Sequence, residues 1–237
     1  EFDVIYDFGE VPLAGSFPKE PDAKINTYPL KIVKCKHCEL VQTNTLIPPK
    51  TLFKDYRYIS SVGMQNHFNN FADWLVRTQK ITPNSKVLEF GCNDGPLLDA
   101  LKHRGIHNTI GVDPATNIVE LGRRKSLDII DDFFNYNFAK NKEWGDKFDL
   151  ILASNTFAHI EDINSVIKGV HYSLKPKGRF IFEVQYLVDL VDKFQFDFMY
   201  HEHLFYYTVT SLKPLLSKYN LKIIDVEKVP IHCGSIR

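Results

Sequence analysis

The feature that most constrains this chain is an alternation running from Lys86 to Val184. Short apolar runs at 86–90, 109–113, 127–130, 148–154 and 179–184 are separated by helix-patterned segments at 96–104, 115–124, 135–142 and 161–173. Strands with a helix between each pair cannot pair as tight hairpins, so the pattern predicts a parallel sheet covered by helices on both faces. A chain of 237 residues, 44% hydrophobic and 24% charged, has the apolar material for one such core and a small added unit. Ahead of the alternation, Phe68, Phe71, Ala72, Leu75 and Val76 fall at helical spacing and predict an amphipathic helix leading into the domain. Behind it, 209–219 reads as a helix, and 221–228 and 231–236 read as strands turned at Val229 and Pro230.

The first fifty residues read differently. Pro12, Pro18, Pro21, Pro29, Pro48 and Pro49 interrupt them and no helical period appears, which predicts short strands and turns in a separate module. We place the boundaries at 1–55 for this β-rich module and 56–237 for the α/β domain. Cys35 and Cys38 form a C-x-x-C pair between strand candidates at 30–34 and 40–43, which looks like half of a zinc-ribbon site. A redox pair is the other reading, although this one does not open a helix after a strand. His37 reaches a third ligand position only with strain.

The sharpest motif lies between Val87 and Gly95. A strand carrying Glu89 ends in Gly91, Cys92, Asn93, Asp94 and Gly95, and Pro96 then suits the first turn of a helix. Ligands of open α/β sheets bind at such strand-to-helix loops. The spacing lacks the middle glycine of the dinucleotide fingerprint, and a carboxylate at Asp94 would repel a pyrophosphate. A cationic or zwitterionic ligand fits better, and S-adenosylmethionine is one with no phosphates to neutralise. Asp113 ends the next strand, where a carboxylate can take both ribose hydroxyls. Asp132 and Phe133 follow the third strand and suit the adenine amino group and ring face, and Asn155 ends the fourth strand on the same rim. The plainer alternatives are a tight turn that merely needs glycine and a surface acid at Asp113. A nicotinamide dehydrogenase is disfavoured by the missing glycine and by the terminal hairpin.

Tyr200, His201, Glu202 and His203 concentrate proton-transfer groups after the fifth strand. In an extended segment His201 and His203 would share one face, with Tyr200 and Glu202 on the other. The spacing is not that of a helical zinc protease motif.

Four features together carry a family resemblance: Cys35 to Gln42, Tyr56 to Ser61, the glycine loop, and Tyr200 to His203. The chain resembles the bacterial C-methyltransferases that act on nucleotide-linked 4-keto deoxysugars. The resemblance implies a Rossmann-like class I S-adenosylmethionine methyltransferase sheet with a small N-terminal zinc-ribbon-like β module. It implies methylation at the carbon beside a ketone, by α-proton abstraction and attack of the enolate on the sulfonium methyl. His203 is then the base, Tyr200 and Glu202 orient it or bind sugar oxygens, His159 faces the same cleft, and Tyr56 or Tyr58 closes it from the small module. Zinc would need a further cysteine pair, which the family carries upstream of the segment resembling Leu13 to Phe17. The stretch from Gly234 to Arg237 resembles one after which the family continues into another domain. His159 as a helix cap, and Tyr56 and Tyr58 as core aromatics, remain open alternatives. So do an O- or N-methyltransferase and a non-catalytic binding module.

Lys and Arg equal Asp and Glu at 29 each, so no overall positive field points to nucleic acid as partner. No run approaches the roughly 20 apolar residues of a membrane span, and no signal-peptide layout opens the chain. A cytoplasmic location is expected, with the four cysteines reduced.

Overall fold

The computed structural model describes every residue except Lys19, Pro21, Pro49, Lys50 and Phe53 to Arg57. The chain divides into two compact units, one of Glu1–Leu52, Asn155–Asp162 and Glu183–Arg237, the other of Phe53–Ser154 and Ile163–Phe182. This is not the linear division drawn from the sequence. The N-terminal module shares its unit with two later segments, because a late strand completes its sheet.

That sheet begins with β1 (Phe2–Pro12), β2 (Thr27–Cys35) and β3 (Val41–Thr43), all antiparallel. The second unit opens with α1 (Ser61–Thr78), whose Phe68, Phe71, Ala72 and Leu75 are buried as the spacing requires. There follow β4 (Val87–Phe90), α2 (Pro96–Lys102), β5 (Thr109–Asp113), α3 (Thr116–Arg124), β6 (Ile129–Asp131), α4 (Tyr136–Asn141), β7 (Phe148–Ser154) and α5 (Ile163–Ser173). Strand β8 (Leu174–Gln185) starts in this unit and ends in the first. The remaining elements are α6 (Leu187–Asp192), β9 (Phe205–Tyr206), α7 (Val209–Ser217), β10 (Lys228–Val229) and β11 (Ser235–Ile236).

In the second unit the strand order is β8, β7, β4, β5, β6, and β7, β4, β5 and β6 run parallel. All four residues of β4 are buried, as a central strand covered on both faces demands. Leu97, Ala100 and Leu101 of α2 pack in one core with Phe71 and Leu75 of α1 and with Val87, Leu150 and Leu152 of the sheet. Each such leucine or phenylalanine contributes about 2 kcal/mol by leaving water. This core packs β4 and α2, the elements on either side of the glycine loop, against α1.

In the first unit β9 pairs antiparallel with β3, Val41 opposite Tyr206 and Gln42 opposite Phe205, which makes the sheet β1-β2-β3-β9. Its core joins Leu30, Ile32, Val41 and Tyr206 to Leu190 of α6. β11 pairs antiparallel with the end of β8 and with β10, so the closing hairpin is present. Its strands are shorter than the sequence reading. Glu227 and Arg237 exchange backbone hydrogen bonds of 2.9 and 2.8 Å, and beyond that point residues 221–226 form no ladder. The turn is also longer than Val229 and Pro230, because His232, Cys233 and Gly234 all hold positive φ.

Candidate functional site

The glycine loop belongs to the second unit. Gly91 (φ 63°), Asn93 (φ 53°) and Gly95 (φ 74°) all lie in the left-handed region. A side chain at Gly95 would meet Leu127 Cδ1 at 2.5 Å, so both φ and packing hold this position to glycine. Asp113 clasps the loop: one carboxylate oxygen accepts from Asn93 N at 2.8 Å, the other from Ala115 N at 3.0 Å. Burial pushes the Asp113 carboxyl up, against those two N–H groups. Glu89, Asp94 and Asp113 are all buried. Burial first, then the charges of Asp113, Glu89 and Asp94, push the Cys92 thiol well up. Three carboxylates thus converge on one thiol, and Asp94 has a cation, Lys125 Nζ at 2.7 Å. A loop so acidic fits a ligand carrying ammonium and sulfonium charge and opposes a pyrophosphate. The residues present therefore suit S-adenosylmethionine.

Several side chains of the loop are also tied within the protein. Asn93 accepts from Ser60 N at 2.9 Å and donates to the Tyr58 carbonyl at 3.1 Å, so its side chain is committed to the segment before α1. Asp94 accepts from Ser61 N at 3.1 Å. Glu89 Oε1 accepts from Ser154 Oγ at 2.9 Å. Asp132 and Phe133 are exposed, whereas Phe134 is buried and stacks on Phe90 with ring centroids 5.0 Å apart. Phe133 is thus the aromatic free to meet a ligand, and Phe134 belongs to the core. Tyr58 falls in the unit of the cofactor loop rather than in the small module, and burial pushes its phenol up. Tyr56 lies outside the described residues.

Asn155, His159 and the Tyr200–His203 segment lie in the first unit. Asn155, just past β7, sits at φ 54°, donates its backbone N–H to Glu183 O at 2.9 Å, and buries Oδ1 without a hydrogen-bond partner among the described residues. Residues 200–203 are not extended. His203 N donates to Tyr200 O at 3.0 Å, which closes a turn and brings residues 200 and 203 to one side. Tyr200 Oη lies 2.8 Å from His203 Nε2, and His203 Nδ1 lies 2.9 Å from the Phe198 carbonyl. A carbonyl only accepts, so Nδ1 carries the proton and Nε2 accepts from the tyrosine. His201 turns away, towards Pro29 O at 3.2 Å. The expected sharing of a face by His201 and His203 fails because turn geometry replaces the period of two.

His159 stands edge-on to His203, with ring centroids 4.8 Å apart. Leu204 N donates to Ala158 O at 2.9 Å and holds the two segments in register. Burial pulls the His159 imidazole down to about 4, and burial is also the first cause that pulls His203 well down. Both are neutral at pH 7. Glu202 is half-buried, and burial raises its carboxyl. The sequence reading missed His232, a third imidazole near enough that, when protonated, it disfavours a charge on His159 and His203. Its signal was weak: a histidine two residues before Gly234.

Residues 64–226 match the model of a methyltransferase domain family. The chain belongs to the methyltransferase-domain family. The C-methyltransferase NovU of Streptomyces niveus is 34% identical over 237 residues, 98% of this chain and 56% of that protein. A ubiquinone biosynthesis O-methyltransferase of Bartonella tribocorum is 29% identical over 99 residues, 40% of this chain and 39% of that one. The chain thus spans 56% or less of the length of these curated relatives. Among solved structures, the PH0226 protein of Pyrococcus horikoshii superposes with a TM-score of 0.60 at 20% identity, covering 81% of this chain and 97% of that one. The magnesium protoporphyrin IX methyltransferase of Synechocystis, solved with bound S-adenosylmethionine, gives 0.53 at 16%, covering 74% and 80%. The chain therefore shares the fold of these solved structures.

Residues 1–53 match a family described as "Putative zinc binding domain". Backbone N–H groups of Cys38 and His37 hold the Cys35 thiol below its ordinary value, while burial pushes Cys38 up. If zinc were bound, these two sulfurs would provide two of the four ligands a structural zinc needs. Among the described residues no group of three His, Cys, Asp or Glu is placed to hold a metal, so the residues fit half a site and zinc enters no step below. No helix of the described residues is long and apolar enough to cross a membrane.

Proposed function

We propose that this methyltransferase forms a carbon–carbon bond beside the ketone of a nucleotide-linked 4-keto deoxysugar, with Tyr200 and His203 as its proton-removing pair. The observation that carries this reading is the direction of the Tyr200–His203 hydrogen bond. With Nδ1 donated to Phe198 O, Nε2 is a lone pair that already holds the tyrosine proton at 2.8 Å. A methyl transfer to oxygen or nitrogen needs only weak base assistance, whereas a carbon acid needs a placed base. Likeness to the Streptomyces C-methyltransferase across 98% of the chain adds to this, against 40% for the O-methyltransferase.

The α-proton leaves the sugar carbon for the Tyr200–His203 pair, the tyrosine proton moving onto His203 Nε2 if the phenol oxygen is the group that takes it. The C–H electron pair becomes the enolate and then the new bond to the methyl carbon. S-adenosylmethionine supplies, when bound, a methyl group on a cationic sulfur. Asp113 fits the ribose hydroxyls, Phe133 the adenine face, and the acidic loop the positive charge. Neutral His159 keeps a second positive charge away from His203 while it holds the abstracted proton.

Incubation with S-adenosylmethionine and a panel of nucleotide-linked 4-keto sugars in deuterated water tests the reading. It expects methylation at carbon and, with the cofactor withheld, deuterium entering at the α-position. Methylation of a hydroxyl or amine instead, or neither event, would overturn it.

A further inference from the structure

The most deeply buried member of the Tyr200–His203 turn is the one the mechanism does not use. His201 is 1% exposed, yet it has no contact with the reacting pair that the proposed chemistry requires. An imidazole buried there costs more than a leucine unless its polar atoms do something. Its Nε2 lies 3.2 Å from the Pro29 carbonyl, 172 residues earlier in the chain, and the Tyr28 ring meets it edge-on at 6.1 Å. Because a carbonyl only accepts, Nε2 carries the proton. Nδ1 is then a bare acceptor, buried with no hydrogen-bond partner among the described residues. Leaving it so costs about 1–3 kcal/mol, which the protein tolerates at this position.

The strand explains what the bond does. β3 pairs with β2 only from Ile32 to Lys34, and Asn44 N closes the ladder on Lys31 O at 3.1 Å. Two residues earlier on that strand, Pro29 O points to the same edge, past the end of β3. His201 takes that carbonyl and so continues the ladder with a side chain. Downstream, Thr43 N donates to Leu204 O at 3.0 Å, and β9 pairs with β3. His203 is therefore bracketed by two ties to the N-terminal sheet, one at His201 and one at Leu204.

We propose that His201 is a positioning residue: its bond to Pro29 latches the turn to β2 and sets the contact between Tyr200 and His203. The inference rests on the reading of those two residues as the acid–base pair, but the latch itself can be seen without turnover. In the wild-type protein, nitrogen-15 spectra of the histidine rings should show His201 protonated at Nε2 and His203 at Nδ1. His201→Leu removes the donor, and His201→Gln keeps an amide nitrogen at about the reach of Nε2. The leucine variant should lose the His203 Nδ1–H signature, lower kcat on the order of 100-fold, and leave affinity for S-adenosylmethionine unchanged. The glutamine variant should recover most of both signature and rate.

A wild-type His201 protonated at Nδ1 would overturn the latch even if the leucine variant failed to fold. So would a leucine variant that kept the His203 signature, or a glutamine variant no better than leucine. If the spectra behave as expected but no 4-keto sugar is methylated at carbon by the wild type, the latch stands and the proposed reaction falls.

Discussion

The glycine loop at 91–95 and the turn at 200–203 are both short segments that gather polar groups, but they are held in opposite ways. The loop is shaped by its own backbone: left-handed φ at three of five positions, with Asp113 gripping its amides. Its side chains then serve as struts, Asn93 to Ser60 and Tyr58, Asp94 to Lys125. The turn holds no left-handed residue and takes its shape from distant partners, Pro29 and Thr43 on the N-terminal sheet and Ala158 after β7. A site fixed by backbone conformation binds something constant, as a cofactor is. One fixed by side chains and long-range ties can place reacting groups for a particular acceptor.

The sharpest way to break this contrast is to disable one region and measure the other. His203→Asn should lower kcat by about 10²–10⁴, with S-adenosylmethionine affinity by calorimetry unchanged. A parallel loss of cofactor affinity would mean the two regions are not separable. Asp113→Ala should do the reverse. Losing a charged hydrogen-bond acceptor of about 1.5–3 kcal/mol weakens cofactor binding by roughly 10- to 150-fold, while α-deuterium exchange into the sugar, which the proposed function assigns to the turn, persists.

Gly95→Ala probes backbone control directly. With φ at 74° and Leu127 in the way, it should destabilise the protein by about 1–2 kcal/mol in denaturant unfolding. An alanine at no cost would show that the loop is not set by its glycines.

The smallest effect is on pH. His159, at about 4 in the folded protein, and His203, well below its ordinary value, have folded values beneath the unfolded value of about 6.5. Between those limits the unfolded chain binds more protons, so stability is full above about pH 6.5 and falls as pH drops towards 4. His159→Gln should flatten that acid slope in unfolding measured from pH 7 to pH 4.5, and an unchanged slope would remove His159 as its source.

The parallel sheet was legible because its strands announce themselves locally: β4 is a continuous apolar run, and Gly91, Gly95 and Pro96 punctuate the step into α2. Asp113 was legible for the same reason, as the residue at the end of the next strand. The neighbourhood of Asp132 was harder to read, because two successive phenylalanines do not say which one faces the core. Their exposure decides it, Phe133 outward and Phe134 against Phe90.

By itself, the sequence determined the alternating architecture, the glycine loop and the residue types of the 200–203 segment, since apolar period and φ preference act within a few residues. Tertiary structure decided that Tyr200 meets His203, that His201 faces Pro29, and that the first strands share a sheet with β9. Those outcomes depend on hydrogen-bond partners up to 172 residues apart, which no local pattern encodes.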